Sequence, residues 1–489
     1  MLKTVTINKY KCFKDESSVE IAPLTILCGT NSSGKSSVIK SILTMKQTVE
    51  SKSPDASIAL SGELVDNGTF RDAAYAGEGQ EFEIADDFEI KNPKLSSTGV
   101  YIKRQDAKAF NELRRIYYSD GVVIKNFIVK LRVRVKKQSK RGNKFVQYIT
   151  DNKVDEYSIY FTAYDENNEI IENCSSWICF QNRDNNEEHL LSWKNVPGYA
   201  KAATSWKNYK CTCSFNGLVI TSVFAYNMPN NVKSAIPNIL TLVKVAFSQY
   251  EGINFIAPLR QTPRRTYLIQ GNVRSVGVNG EHTPVLLAKL KDQILTNDFR
   301  FMKKDKAISK NRYAEVVQYW LDKFQIGTLK FGGSKGTISL TLDGYNLSDV
   351  GFGASQILPI ITQGVFMNKE ETLIIEQPEI HLHPKMELTM ADFLIELARS
   401  ERNVIVETHS DHIINRVVHR VMENYDELSG IVKIYFVEKT ENGGVIHPPI
   451  SIDKYKGTRI EYKDFFTQYT SESKEIISTG IKNALEKEK

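Results

Sequence analysis

Residues 24–43 read LTILCGTNSSGKSSVIKSIL, and the fold of the whole chain turns on that stretch. Inside it, Gly29-Thr30-Asn31-Ser32-Ser33-Gly34-Lys35-Ser36 fits the phosphate-loop pattern G-x-x-x-x-G-K-[ST] at every fixed position. The setting agrees with the pattern. Leu24, Ile26 and Leu27 lead in like a buried strand, and Val38, Ile39, Ile42 and Leu43 lead out at helical spacing. Gly29 and Gly34 carry no side chain, so backbone N–H groups can converge on phosphate oxygens. The first turn of the following helix adds unpaired N–H donors and the positive end of its dipole. Lys35 would reach the β- and γ-phosphates, and the Ser36 hydroxyl would ligate Mg²⁺. Asn31, Ser32, Ser33 and Ser37 complete the candidate nucleotide-binding loop. ATP and Mg²⁺ are therefore the expected cofactors.

Working outward, 489 residues suit two to three domains. A hydrophobic content of 41% and a charged content of 25% describe an ordinary soluble globular protein. No apolar run reaches the roughly 18 residues that span a bilayer, and Met1-Leu2-Lys3 enters strand-like text directly. Cys12, Cys28, Cys174, Cys179, Cys211 and Cys213 are sparse, which fits a reducing cytoplasm. The net charge of +6 permits an anionic partner without demanding one.

Residues 1–95 read as the first part of an α/β nucleotide-binding head. Residues 96–228 are strand-rich, with runs at 122–128, 145–149, 157–164, 177–180 and 218–224 separated by Asp, Asn and Gly turns. They read as an inserted antiparallel β region. Residues 229–326 read as helical, with a strand at 253–256 and helices at 284–301 and 313–324. The head resumes over 327–445: a strand at 337–342, a helix from Ser355, a strand at 371–379, a helix at 384–399, a strand at 403–407 and a helix from Asp411. Residues 446–489 form a tail. No heptad pattern persists, so no long coiled coil is expected.

The second half of the site follows from two apolar strands with polar ends. Thr372-Leu373-Ile374-Ile375-Glu376 ends in a carboxylate suited to the Mg²⁺ shell. Gln377 follows, and a neutral amide can orient water but cannot take its proton. Slow hydrolysis, or help from Glu379, is the consequence. Val404 to Val406 lead to Glu407-Thr408-His409, which places His409 to hydrogen-bond a γ-phosphate at the C-terminal edge of the sheet. His381 and His383 lack a third ligand nearby, and they read better as a subunit contact than as a zinc site. The spacing of the four cysteines from Cys174 to Cys213 matches no common zinc module.

These pieces together (GTNSSGKS at 29–36, VGFGASQILP at 350–359, IIEQPEIHLHP at 374–384 and VETHSDHII at 406–414) resemble the ABC-type ATPases of the SMC/RecF/OLD-like group. More narrowly, the chain resembles the ATPase subunits of bacterial anti-phage systems of the Septu (PtuA) and PARIS (AriA) kind. Pro258-Leu259-Arg260, with Pro263 and Arg265, also looks like the stretch before the Gly-rich segment in those relatives. The resemblance implies an ABC-type head with a mostly parallel sheet, and a Gly-rich signature that approaches a neighbouring subunit's nucleotide. Gly353, Ser355 and Gln356 are its equivalents here, although LSGGQ itself is absent. It further implies a dimer or higher even-numbered oligomer with composite ATP sites, and a separate nuclease or toxin effector. No TOPRIM nuclease domain of ordinary size fits after His409.

A softer signal is basic. Lys130, Arg132, Arg134 and Lys136 alternate with apolar residues on one strand face, and Lys137, Lys140, Arg141 and Lys144 extend them. A second run holds Lys303, Lys304, Lys306, Lys310 and Arg312. Such stripes can contact nucleic acid or an acidic protein, or can be a solvated face. A phage protein is a further candidate partner. The expected function is that of a cytoplasmic ATP-binding and ATP-hydrolysing sensor and scaffold that controls an effector. Its rivals are a DNA-repair ATPase and a nucleotide-locked scaffold without turnover.

Overall fold

Every residue from Leu24 to Gly29 is buried, as a strand covered on both faces must be. The computed structural model describes residues 1–458 except 52, 55, 78, 93–103, 118–122, 138–151, 184–187, 197–207, 226–227, 270, 272, 296–298, 300–311 and 335. In chain order its elements begin with β1 (Leu2–Asn8), β2 (Ser17–Glu20), β3 (Leu24–Gly29), α1 (Lys35–Glu50), α2 (Phe70–Ala73), β4 (Glu81–Lys91) and α3 (Arg104–Ile116). Next come β5 (Asn126–Lys137), β6 (Asn152–Tyr164), β7 (Ser176–Asn182), β8 (His189–Lys194), β9 (Tyr209–Asn216), β10 (Val219–Phe224), α4 (Asn230–Lys233) and α5 (Ile236–Ser248). Then follow β11 (Ile253–Ile256), β12 (Tyr267–Leu268), α6 (Thr283–Leu290), α7 (Tyr313–Lys323), β13 (Leu329–Gly332), β14 (Thr337–Leu342), β15 (Tyr345–Asn346) and α8 (Phe352–Phe366). The last are β16 (Thr372–Glu376), α9 (Pro384–Arg399), β17 (Asn403–Glu407), α10 (Asp411–Glu423), β18 (Val432–Thr440) and β19 (Gly443–Ile446), with a short hairpin after them.

The six-stranded sheet has the order β11-β16-β17-β3-β18-β19. Its first five strands run parallel and β19 is antiparallel. Because side chains alternate along a strand, this sheet divides two cores. Leu27, Ile374, Ile405 and Val437 face one. Leu24, Ile26, Ile375, Val406 and Phe436 face the other, with apolar residues of α8, α9 and α10. All the C-terminal ends of the parallel strands therefore open on one edge, where loop 29–34 lies.

The antiparallel region is not a separate insertion beginning at 96. Strand β1 pairs with both β2 and β4, and β4 pairs with β5 from Glu81 to Lys91, so one nine-stranded sheet runs β10-β9-β8-β7-β6-β5-β4-β1-β2. The local text of 96–228 could not show that its first partner lies at 81–91. Alternation along β5 is as expected. Phe127, Val129, Leu131, Val133 and Val135 are buried in the core, and the four cations face outward. Acids on β4 and β6, and Glu16 before β2, meet those cations: Lys130 faces Asp87, Arg132 faces Glu83 and Glu16, Arg134 faces Glu83, and Lys136 faces Asp155. The stripe is a ladder of exposed cross-strand ion pairs, so its charge is largely balanced by nearby acids. Lys140, Arg141 and Lys144, the run from Lys303 to Lys310, the strand expected at 145–149 and the tail beyond 458 lie outside the described residues.

Two helix bounds differ from expectation. α6 ends at Leu290, where Lys291-Asp292-Gln293 turns and the Gln293 carbonyl accepts from Tyr313 N. α8 starts at Phe352 rather than Ser355, because Gly351 in extended geometry serves as its N-cap. Among the described residues the longest helices, α1 and α9, have 16 residues, and no helix is long and apolar enough to cross a membrane.

Among the described residues Asp86 is the one acid with no exposed surface, and it lies outside the candidate site. Asp86 of β4 is fully buried and accepts a hydrogen bond from Tyr250. Burial pushes its carboxyl up to about 7, against the opposing bond from Tyr250 and with a smaller push from Asp87. A raised pKa means that the folded chain binds this proton more tightly than the unfolded chain. The resulting stability is present below the unfolded value near 4 and is lost as pH rises through about 7, at most about 4 kcal/mol. The urea midpoint should accordingly fall between pH 5 and pH 8, and Asp86→Asn, which leaves Tyr250 an acceptor, should flatten that fall. Identical pH slopes for the two chains would dismiss the assignment.

A candidate nucleotide site

Gly29 and Gly34 shape the loop for a stated steric reason. At φ +140°, a Cβ on Gly29 would stand 2.0 Å from the Val437 carbonyl oxygen, and at φ +110°, one on Gly34 would stand 2.5 Å from Cys12 Sγ. Only glycine lets β18 and the loop after β1 close so tightly on the chain. Lys35 opens α1 and is nearly buried. Its Nζ bridges the carbonyls of Gly29 and Thr30 at 3.0 and 2.7 Å. Burial lowers its pKa, and the carboxylate of Glu407 pulls the other way. The Ser37 N–H already donates to the carbonyl of the N-cap Gly34 at 2.9 Å, and the N–H groups of Lys35 and Ser36 have no intrahelical acceptor by helix geometry.

The loop lines a cleft of about 740 Å³ together with Gln377, Glu407 and His409. Residues 31–37 all border it, so Asn31, Ser32, Ser33, Gly34, Lys35, Ser36 and Ser37 meet where the spacing placed them. Lys11, Cys12, Arg71 and Asp72, which the sequence reading did not select, also line it. Lys11 and Cys12 follow β1 and Arg71 and Asp72 sit on the short helix α2, so no local pattern ties them to the motif. His409 stands exposed to the cleft beyond β17. Burial lowers its pKa and Lys35 lowers it further, so the ring is neutral at pH 7 and can donate one N–H.

The carboxylate in contact with the phosphate-loop serine is Glu407, which the sequence reading passed over in favour of Glu376. Ser36 Oγ donates to Glu407 Oε1 at 2.8 Å. Strand order is the reason. β17 lies between β16 and β3, so its last residue faces the loop first, and Glu376 sits in register beside it. Burial and then the neighbouring Glu407 push Glu376 up to about 7. Burial also raises Glu407, opposed by the Ser36 hydroxyl and Lys35. Glu407 Oε2 is buried without a hydrogen-bond partner. A hydroxyl on one oxygen, an unmatched oxygen on the other and a second acid alongside fit a small hard cation such as Mg²⁺.

Gln377 follows Glu376 at φ 45°, a left-handed conformation that a non-glycine residue adopts at a cost. Its N–H donates to the Glu407 carbonyl at 2.7 Å. Glu379 is tied to the histidine loop. Its two oxygens accept from Thr408 Oγ1 at 2.8 Å and from His409 N at 2.7 Å. Glu387 adds a hydrogen bond from Ser410, the N-cap of α10.

Gly353, Ser355 and Gln356 do not line this cleft. Ser355 and Gln356 are 6% and 3% exposed, and the Ser355 hydroxyl is bonded to the Phe352 carbonyl. Because α8 begins three residues earlier than expected, its exposed end consists of Gly351 and Phe352, with Gly353 half-buried. The Phe352 ring lies 5.8 Å from that of His381, and His383 caps α9 by accepting from Lys385 N. Among the described residues, no group of three or more His, Cys, Asp or Glu is placed to hold a metal ion. Cys211 and Cys213 lie 3.6 Å apart inside the antiparallel sheet.

Residues 1–414 match the family model described as AAA ATPase domain. No curated protein matches the chain. Among solved structures, the SMC head domain from Thermotoga maritima is similar at 10% identity, covering 91% of this chain and 98% of that one, with a TM-score of 0.35. An SMC head bound to the C-terminal winged-helix domain of ScpA is similar at 12% identity, with 93% and 99% coverage and a TM-score of 0.40. An SMC head with an extended coiled coil, bound to a ScpA C-terminal domain derived from Pyrococcus furiosus, gives 11% identity, 93% and 97% coverage and a TM-score of 0.37.

Proposed function

The chain belongs to the AAA ATPase domain family, and from that premise we propose that it binds Mg²⁺-ATP in the cleft of residues 29–37 and hydrolyses it slowly. The observation that carries this reading is the meeting of Lys35, Ser36, Gln377, Glu407 and His409 around one cavity. Lys35 and the loop amides bind the triphosphate. Ser36 and Glu407, with Glu376 beside them, hold the cation, which when bound neutralises charge on the β- and γ-oxygens. His409 donates to the γ-phosphate and keeps its position through Glu379. Gln377 orients the attacking water but has no basic group to accept its proton, and this limits the rate.

The site is completed by a second copy of the chain. In support, the Gly351–Phe352 end of α8 is exposed and lies outside its own chain's cleft, and a helix N-terminus suits a phosphate. In the cell, ATP-dependent assembly controls a separate nuclease or toxin in anti-phage defence. This last step is supported by the resemblance of the motif series to that of Septu and PARIS ATPase subunits. Phage plating on cells that express the chain with its neighbouring reading frame, against the same cells carrying Lys35→Ala, checks it: equal plating would dismiss it.

The biochemical test is steady-state ATP hydrolysis over a range of chain concentrations. Expected are slow turnover and a specific rate that rises with concentration. Gln377→Glu supplies a carboxylate at the water, and its rate should be about a hundredfold higher, at the low end of what general bases contribute. No hydrolysis by either chain would reject the reading, and a concentration-independent rate would reject the composite site.

A further inference from the structure

Strand β11 is the edge of the parallel sheet and pairs with β16. The chain leaves β11 through residues 257–259 and delivers Arg260 beside the end of its neighbour. Arg260 Nη2 donates to the Glu376 carbonyl at 2.8 Å and Nη1 to the Gln377 carbonyl at 3.2 Å. The residue is 6% exposed, and its Nε is buried without a hydrogen-bond partner. Burial lowers its pKa to about 10, against the attraction of Glu379 and Glu376.

Stability gives little reason for such a group. A buried guanidinium costs several kcal/mol in desolvation, and apolar replacements of buried charges are often neutral or stabilising, to roughly 1–4 kcal/mol. What the two bonds do is local. They fix the carbonyls on either side of the Gln377 α-carbon, while β17 fixes its N–H. Gln377 stands at φ 45°, and such strain persists only where the surroundings over-determine it. The loop itself is anchored farther along by Arg265, whose guanidinium pairs with both oxygens of Asp349 at 3.0 and 2.7 Å.

We infer that Arg260 is a positioning residue for the hydrolytic step, holding Gln377 in its left-handed backbone conformation so that the amide faces the cleft. The inference rests on the proposed ATPase reading of that cleft. It assigns Arg260 no contact with nucleotide and no proton to carry. Its removal should therefore slow the chemical step while leaving ATP binding to the loop at 29–37.

The test uses the full chain with Mg²⁺ and ATP. In Arg260→Ala, kcat should fall about tenfold or more, because small misplacements at a reacting centre are costly. The Kd for a fluorescent ATP analogue should change less than about twofold, since no binding contact is lost. Arg260→Lys, with one point donor in place of the fork, should give an intermediate kcat. It also serves as the deciding variant if thermal unfolding shows that the alanine chain is not folded. Hydrogen exchange at residues 374–380 should rise in Arg260→Ala without nucleotide. An unchanged kcat, or a loss of ATP affinity in step with kcat, would overturn this inference alone. A wild-type chain that binds ATP nowhere and turns none over would overturn the ATPase reading, and this inference with it.

Discussion

Lys35→Ala will abolish ATP binding at any concentration in ordinary use. Lys35 is the one cation at the head of α1, and its Nζ already lies against the loop carbonyls of Gly29 and Thr30. Against a triphosphate the same ammonium makes charge-assisted hydrogen bonds, each worth roughly 1.5–3 kcal/mol. Losing two of them costs about 3–6 kcal/mol, which is a hundredfold or more in Kd. The fold should survive, because burial works against the charged form of Lys35 and alanine suits a helix start. Calorimetric titration with Mg²⁺-ATP reads the outcome. An affinity equal to that of the wild type would remove the phosphate assignment.

Glu407→Gln separates what the geometry assigns from what the sequence suggested. The Ser36 hydroxyl bonds to Glu407 and not to Glu376. Neutralising Glu407 takes a charge from the cation site, and turnover should fall about 10²–10³-fold, as for other preorganised electrostatic groups. Glu376→Gln, in register behind it, should cost less. Stability should move in the opposite direction. Glu407 raises the pKa of Glu376 by repulsion, and both are raised by burial. Removing one charge relieves the other, so without divalent cation the Tm of Glu407→Gln should exceed that of the wild type. A larger loss of turnover in Glu376→Gln than in Glu407→Gln would restore Glu376 as the cation's principal ligand.

How much of this was legible depends on the range over which each signal acts. Gly29, Gly34, Lys35 and Ser36 are fixed by spacing within eight residues, and the structure puts them at the junction of β3 and α1. His409 was legible from its place at the end of an apolar strand. Glu407 sat two residues before it, at the end of the same strand, yet its role depends on β17 lying between β16 and β3. Strand order is a long-range property that no local pattern carries. The pairing of the β5 cations was hidden for the same reason: their partners Glu83, Asp87 and Asp155 come from strands on either side. Gln356 was chosen from its place in the Gly-rich segment. With Gly351 as the cap, it falls in the second turn of α8 and is buried.

The most direct measurement is a crystal structure of the chain with Mg²⁺ and a non-hydrolysable ATP analogue. Expected are the β- and γ-phosphates on the loop from Gly29 to Ser36, the cation on the Ser36 hydroxyl beside Glu407, and His409 within hydrogen-bonding distance of the γ-phosphate. A nucleotide seated elsewhere, or a triphosphate in this loop with Glu407 and His409 both turned away from it, would contradict the joint site.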